Sequence, residues 1–324
     1  MSTATHALWI EGKGRFALRE TLLPAPGPDQ VLVRTRYSGI SRGTEALVAA
    51  GKVPPSEHAR MRAPFQEGEF PFPVKYGYAC VGKVEAGPAP LRGREVFCLH
   101  PHQGAFVVAA DRVSPLPPQL PAARAVLAAN AETALNVLWD ARIAAGDRVV
   151  VVGAGVVGAL VAHLAGRLPA TEVTLVDIDT SRQSLADQLG VSFTVPDQAP
   201  RDCDVVVHAS ASESGLSTAL ACAGFEARVV EASWYGERIA RLPLGESFHS
   251  QRLQLVSSQV GHLPPSQRAR WDYARRMATA LSLLDDPRLD ALISGETPFQ
   301  DAPNDYPTVL AHAGTLCHRF RYPD

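Results

Sequence analysis

The chain has 324 residues, 46% of them hydrophobic and 20% charged, with a formal net charge of -2. That length accommodates two domains of ordinary size, and that balance excludes a disordered, fibrous or nucleic-acid-binding protein, there being no long basic run. The first twenty residues lack an apolar core of signal-peptide length, and the five cysteines form no C-x-x-C pair, so thiols in a reducing cytoplasm are expected.

In chain order, residues 1–121 read as β-rich. Ala7–Ile10 and Phe16–Leu18 suit short strands, and Val31, Val33, Thr35 and Tyr37 alternate as in a half-buried strand. Ser38-Gly-Ile-Ser-Arg-Gly-Thr-Glu45 leads into a short helix near Ala46–Ala50, and a proline- and charge-rich loop spans Lys52–Phe72. Val74–Val84 returns to strand, with glycines that permit bends, and Arg94–Leu99 and Ala105–Ala109 follow. Short strands punctuated by turns predict a small barrel. From residue 122 helix and strand alternate: a long helix over Ala122–Ala141, helices near Ser181–Leu189 and Ser214–Cys222, and strands at Asp204–His208, Ala227–Ala232 and Arg252–Val260. This predicts βαβ units on a parallel sheet over 122–261. Pro264-Pro265 marks its end, Gln267–Leu284 suits a helix, and residues 289–324 read as strands and loops, so that 262–324 return to the first domain. The fold class is thus α/β, a Rossmann doubly wound sheet with a barrel-like catalytic domain.

The most informative stretch is Arg148–Asp177. Val149–Val152 is an apolar run suited to a strand buried on both faces. Gly153-Ala-Gly155-Val156-Val157-Gly158 fits G-x-G-x-x-G and opens a helix over Val156–Arg167, and a second strand, Val173–Val176, ends in Asp177. Gly153 serves the tight turn, Gly155 the approach of backbone to a pyrophosphate, and Gly158 the packing of helix on strand. The pyrophosphate would rest on the helix N-terminus at Val156 and Val157, and Asp177 would accept hydrogen bonds from the adenosine ribose. The eighteen residues Val149–Gly166, with only His163 polar, approach the length of a membrane span, but three glycines interrupt them and charges flank them. No membrane partner is expected.

This layout resembles the medium-chain dehydrogenase/reductase superfamily over essentially the whole chain. Ser38–Glu45, Val96-Phe-Cys-Leu-His-Pro-His102, Trp234-Tyr-Gly236, Phe248-His249, Ser257–Val260 and Asp301–Pro307 resemble the subgroup of bacteriochlorophyllide dehydrogenase-type proteins. The departures are as telling. Where zinc-dependent members carry cysteine in G-x-C-G-T-D, Ser41 or Arg42 stands here. Their Gly-His-Glu is Gly77-Tyr78-Ala79, and Ala129-Asn130 precedes Thr133-Ala134 where a thiolate or acid is expected. No four-cysteine lobe for structural zinc exists, since Cys98 is the only cysteine between residues 81 and 202. The resemblance therefore implies no zinc, unless Cys80, His100, His102 and Glu45 rebuild a site.

The expectation is a zinc-independent oxidoreductase moving a hydride between a nicotinamide cofactor and an alcohol or carbonyl. A quinone or enone reductase, or a non-catalytic dinucleotide sensor, remains open. Asp177 and Asp179 favour NAD(H) over NADP(H), with Arg182 pulling the other way. Tyr78, in the place of a metal-ligand histidine, is expected as proton donor with Lys75 lowering its pKa, or else as filler of the vacated space. Thr44 matches the superfamily's proton-passing hydroxyl. His102 and Asn130 are further candidates for substrate contact, with hydrogen-bonded structural roles as the alternative. Trp234 and Tyr235 follow a sheet strand and either wall the nicotinamide or pack in the core. A homodimer is expected through the last strand of the nucleotide domain, near Leu253–Val260.

Overall fold

The computed structural model describes residues 3–323. The chain forms two compact units, one reaching to Ala129 and resuming at Leu281, the other spanning Asn130–Ala280. Its elements run β1 (Thr3–Gly12), β2 (Arg15–Leu23), β3 (Gln30–Ile40), α1 (Arg42–Ala49), β4 (Glu67–Gly68), β5 (Val74–Lys75), β6 (Cys80–Ala86), β7 (Glu95–Cys98), β8 (Ala105–Ala109), β9 (Val113–Pro115) and α2 (Ala122–Ala125). There follow α3 (Ala128–Ala141), β10 (Arg148–Val152), α4 (Val156–Ala165), β11 (Glu172–Val176), α5 (Gln183–Leu189), β12 (Ser192–Thr194), β13 (Cys203–His208), α6 (Glu213–Cys222), β14 (Ala223–Glu231), β15 (Gln254–Ser257) and α7 (Tyr273–Leu283). The chain then returns through β16 (Ile293–Pro298), α8 (Ala302–Ala311) and β17 (Cys317–Arg321).

The first unit holds a seven-stranded sheet, β16-β17-β3-β6-β7-β9 with β8 on β3, and a four-stranded sheet, β2-β1-β5-β4. Its core gathers Val31, Val33, Val84, Val96, Phe106 and Val108. The alternation expected along β3 holds to Thr35 and then slips. A bulge against β6 between Thr35 and Tyr37 shifts the register, leaving Tyr37 half-buried and turning Ser38 fully inward. The single strand expected over Val74–Val84 is broken at residues 76–79. Gly77 has φ +113°, and a side chain there would meet the His102 ring at 2.7 Å, so the chain turns away from sheet geometry to let that ring in. The helix expected from Ala46 starts earlier, at Arg42, because Glu45 reaches back to accept from the Ser41 amide (2.7 Å) and satisfies its N-terminus.

The second unit is a six-stranded parallel sheet in the order β12-β11-β10-β13-β14-β15. Val149–Val152 are all nearly inaccessible, as the four-valine run requires for a central strand flanked on both sides. Each such burial stabilises by roughly 1.5–3 kcal/mol. Among the described residues no helix is long and apolar enough to cross a membrane, and Val149–Gly166 divides into β10, the glycine turn and α4.

The unit boundaries differ from those expected at 121/122 and 261/262. α2 stays with the first unit because Arg124 forms a two-pronged ion pair with Asp290 (2.7 and 2.8 Å). Residues 262–280 stay with the second because Arg276, buried on α7, donates to Glu132 (3.0 Å) and Asn136 (2.7 Å) on α3 and to the Val260 carbonyl (2.7 Å). α7 also begins at Tyr273 rather than Gln267, because Asp272 caps it by accepting from the Arg275 amide (2.7 Å). The stretch 289–324, expected to lack helix, contains α8. Pro303 lies in its first turn, where no amide is needed, and Pro307 disguised the rest.

Arg276→Ala would leave Glu132 buried without its partner, and is expected to cost about 3–5 kcal/mol in urea unfolding. A loss under about 1 kcal/mol, the level of an exposed pair, would contradict the structural role given to Arg276.

Candidate active site

In the first unit the site is built around Glu45, fully buried on the first turn of α1. One carboxylate oxygen accepts from the Ser41 amide; the other faces His102 Nε2 (2.9 Å) and accepts a hydrogen bond from the Tyr306 hydroxyl. The second ring nitrogen of His102 meets the Ser38 hydroxyl at 2.7 Å, and Ser38 meets the Tyr322 hydroxyl at 2.8 Å. The adjoining Ser41 and two side chains distant in sequence, His102 and Tyr306, thus converge on one carboxylate, which could not stay buried without them. His102 is enclosed, its ring edge-on to Phe320, so it acts on this network and has no open face toward a substrate.

Tyr78 and Thr44 are brought together here. The Tyr78 phenol is pushed up to about 12, by burial first and by the Glu45 charge second, while the hydroxyls of Ser41 and Thr44 act weakly in the opposite direction. The expectation that Lys75 lowers this pKa is corrected. Lys75 is buried against Glu67 and the side-chain amide oxygen of Gln103 (2.7 Å), and it is not among the groups that shift the phenol. A phenol with a raised pKa stays protonated at neutral pH and can donate a hydrogen bond. It takes a proton back only after it has first given one up.

The alternative metal set is not assembled. The Cys80 thiol donates to the carbonyls of His100 and Pro101 (both 3.2 Å) and is held protonated by burial. His100 lies stacked 4.0 Å from Phe106, and burial lowers its pKa to about 3. Among the described residues, no group of three or more His, Cys, Asp or Glu is arranged to hold a metal ion.

In the second unit the glycine loop leaves β10 with Gly153 at φ +111°, and a side chain on Gly158 would lie 1.9 Å from the Gly153 carbonyl oxygen. Nothing lies within 4 Å of a side-chain position on Gly155, so its backbone faces open space. The amides of Val156 and Val157, in the first turn of α4, have no intrahelical partner. Asp177 at the end of β11 accepts from the amides of Ala154 (2.7 Å) and Asp179 (2.9 Å), which aims its carboxylate across the loop. These residues fit a dinucleotide: an open backbone and free helix amides for phosphates, and an oriented acid for a ribose.

Asn130 and Glu132 lie buried at the start of α3 in this unit. Glu132 is committed to Arg276, and its pKa is raised, by burial above all. Trp234 and Tyr235 are half-buried after β14, where the Tyr235 hydroxyl donates to Glu231 (3.1 Å). Several neighbours escaped the sequence reading. Ile178, 84% exposed beside Asp177, could have been flagged as the residue after the acid. Ser38, Tyr306 and Tyr322, and His208 with Glu231, carry no local motif.

No protein-family model matches this chain. It is similar to D-guloside 3-dehydrogenase of Escherichia coli (strain K12), 26% identical over 190 residues, covering only 54% of either protein. It is also similar to 2-desacetyl-2-hydroxyethyl bacteriochlorophyllide A dehydrogenase of Cereibacter sphaeroides, 26% identical over 96% of both chains. In structure it resembles a protein described as a zinc-binding dehydrogenase from Sinorhizobium meliloti 1021 bound to NADP, with a TM-score of 0.77, 18% identity, and 98% of this chain and 99% of that one covered. The chain thus shares its fold with solved dehydrogenases, and it spans about half the length of the first curated relatives it matches.

Proposed function

We propose that this chain is a medium-chain dehydrogenase/reductase that interconverts an alcohol and a carbonyl without zinc, Tyr78 supplying the proton. The observation that carries this reading is the Tyr78 phenol, held protonated by burial and by Glu45 and grouped with Thr44 on the network of Glu45, His102 and Tyr306. The bound nicotinamide would accept or supply the hydride. Gly155, Val156 and Val157 would hold its pyrophosphate, Asp177 its adenosine ribose, and exposed Ile178 offers an apolar surface to the base. Tyr78 donates a hydrogen bond to the substrate oxygen as negative charge develops there, and Glu45 fixes the layer behind it. The Thr44 hydroxyl is the group beside Tyr78 able to pass the proton onward. Nothing in this scheme requires a Lewis acid, because the phenol provides the electrophilic contact.

Replacing Tyr78 with Phe is expected to lower kcat by on the order of 10²–10⁴, with cofactor affinity unchanged and wild-type turnover surviving dialysis against chelator. Unchanged kcat would reduce the phenol to filler, and activity restored only by added zinc would overturn the metal-free reading.

Cofactor choice follows from Asp177. Its carboxylate favours two ribose hydroxyls and repels a 2′-phosphate, while Arg182 lies 3.5 Å from Asp179, which offsets its charge. We therefore expect tighter binding of NADH than NADPH in fluorescence titration, and erosion of that preference in Asp177→Ala. Equal or tighter NADPH binding would refute it.

A homodimer through β15 accompanies this reading. β15 is the last strand of the sheet, its outer edge unpaired among the described residues, and Leu255 on it is 39% exposed. Light scattering at micromolar concentration should give twice the chain mass; a monomer would contradict it.

A further inference from the structure

A second set of chemically competent side chains lies where β13 turns into α6. His208, fully buried at the end of β13, has its Nδ1 2.7 Å from Glu231 Oε2 and its Nε2 2.6 Å from the Ser210 hydroxyl. Glu231 is itself fixed, accepting from the Ser233 amide (2.7 Å) and the Tyr235 hydroxyl (3.1 Å). With Glu231 accepting from Nδ1–H, Nε2 is left as the acceptor for the Ser210 hydroxyl proton. Ser212 completes the chain, 2.8 Å from Ser210, while its own oxygen accepts from the Gly215 amide (3.0 Å). Hydroxyl, imidazole and carboxylate thus stand in the order and spacing of an activated nucleophile.

Three further observations separate this set from an ordinary polar network. Ser210 is exposed while its base is buried, so the reactive atom faces solvent and the charge-sensitive pair does not. The turn between Ser210 and Ser212 is strained, with Ala211 at φ +51°. Gly215 leaves the room needed: a side chain there would stand 2.2 Å from Ser210 Oγ and 2.9 Å from His208 Nε2. The hydroxyl therefore sits against the first turn of α6, where the amides of Glu213 and Ser214 have no intrahelical partner and can receive negative charge. The first unit supplies an internal contrast. Ser38, His102 and Glu45 repeat the same three groups, but Ser38 is completely buried and also tied to Tyr322.

We propose that Ser210, His208 and Glu231 form a second catalytic site that hydrolyses carboxylic esters. Ser210 Oγ attacks the acyl carbon as His208 Nε2 takes the hydroxyl proton, with Glu231 holding the imidazole. The oxyanion forms at the α6 amides, the bond to the alcohol oxygen breaks, and His208 returns the proton to the departing alcohol. Water then attacks the acyl-serine with His208 again as base, releasing the carboxylic acid and restoring Ser210, so that ester and water give acid and alcohol.

The test uses the full-length protein without dinucleotide, so its failure leaves the dehydrogenase reading untouched. A fluorophosphonate probe should label Ser210 and not Ser38, as read by peptide mapping, and p-nitrophenyl acetate should be hydrolysed with release of nitrophenolate. Ser210→Ala should lower that hydrolysis by on the order of 10²–10⁴, and Glu231→Gln should lower both hydrolysis and labelling at Ser210. Circular dichroism identical to wild type would establish that both variants fold. An unlabelled Ser210, or hydrolysis by Ser210→Ala at the wild-type rate, would overturn the proposal.

Discussion

The first unit depends on keeping one carboxylate, Glu45, out of water. A buried charge is tolerated only when each lone pair finds a donor, and here the donors are the Ser41 amide, Tyr306 from α8, and His102 on the loop after β7. His102 in turn needs Gly77 to clear its ring and the β3 bulge to present Ser38. The charge explains why the last forty residues return to this unit. Without α8 and β17, Glu45 would lose Tyr306, and Ser38 would lose Tyr322. It also adds to the chemistry, since the Tyr78 phenol is kept protonated first by burial and then by this charge behind it.

The nucleotide unit is governed by backbone space. Gly153 and Gly158 are fixed by contact distances that no side chain could meet, whereas Gly155 is set by what approaches from outside. Asp177 joins the two roles. Its bond to the Ala154 amide ties the end of β11 to the loop and fixes the direction of the acid. The unit also places four polar side chains, Ser210, His208, Glu231 and Tyr235, beyond two adjacent parallel strands, where an open α/β sheet gathers its ligands.

Serine, histidine and glutamate occur in hydrogen-bonded series in both units, and burial separates their consequences. In the first unit the series is closed off and buried. In the nucleotide unit it ends at an exposed hydroxyl beside a helix N-terminus. The same three functional groups therefore mean structure in one setting and reactivity in the other, and only accessibility and the field of α6 distinguish them.

The sequence by itself determined what is local. Four valines, three spaced glycines and an acid after the next strand specify a parallel nucleotide-binding unit, because strand, turn and helix each follow from neighbouring residues. The positions of Tyr78 and Thr44 followed from resemblance, while their contact did not. The tertiary structure alone decided the state of that phenol, since Lys75, near in sequence, is paired with Glu67 and Gln103, while burial first and Glu45, thirty-three positions away, second keep it protonated. It alone turned Ser38 inward, because a bulge shifts the side-chain phase that alternation assumes. It alone joined His208 to Glu231, because partners on adjacent parallel strands are set by sheet register across a whole crossover, and no spacing within the chain encodes that register.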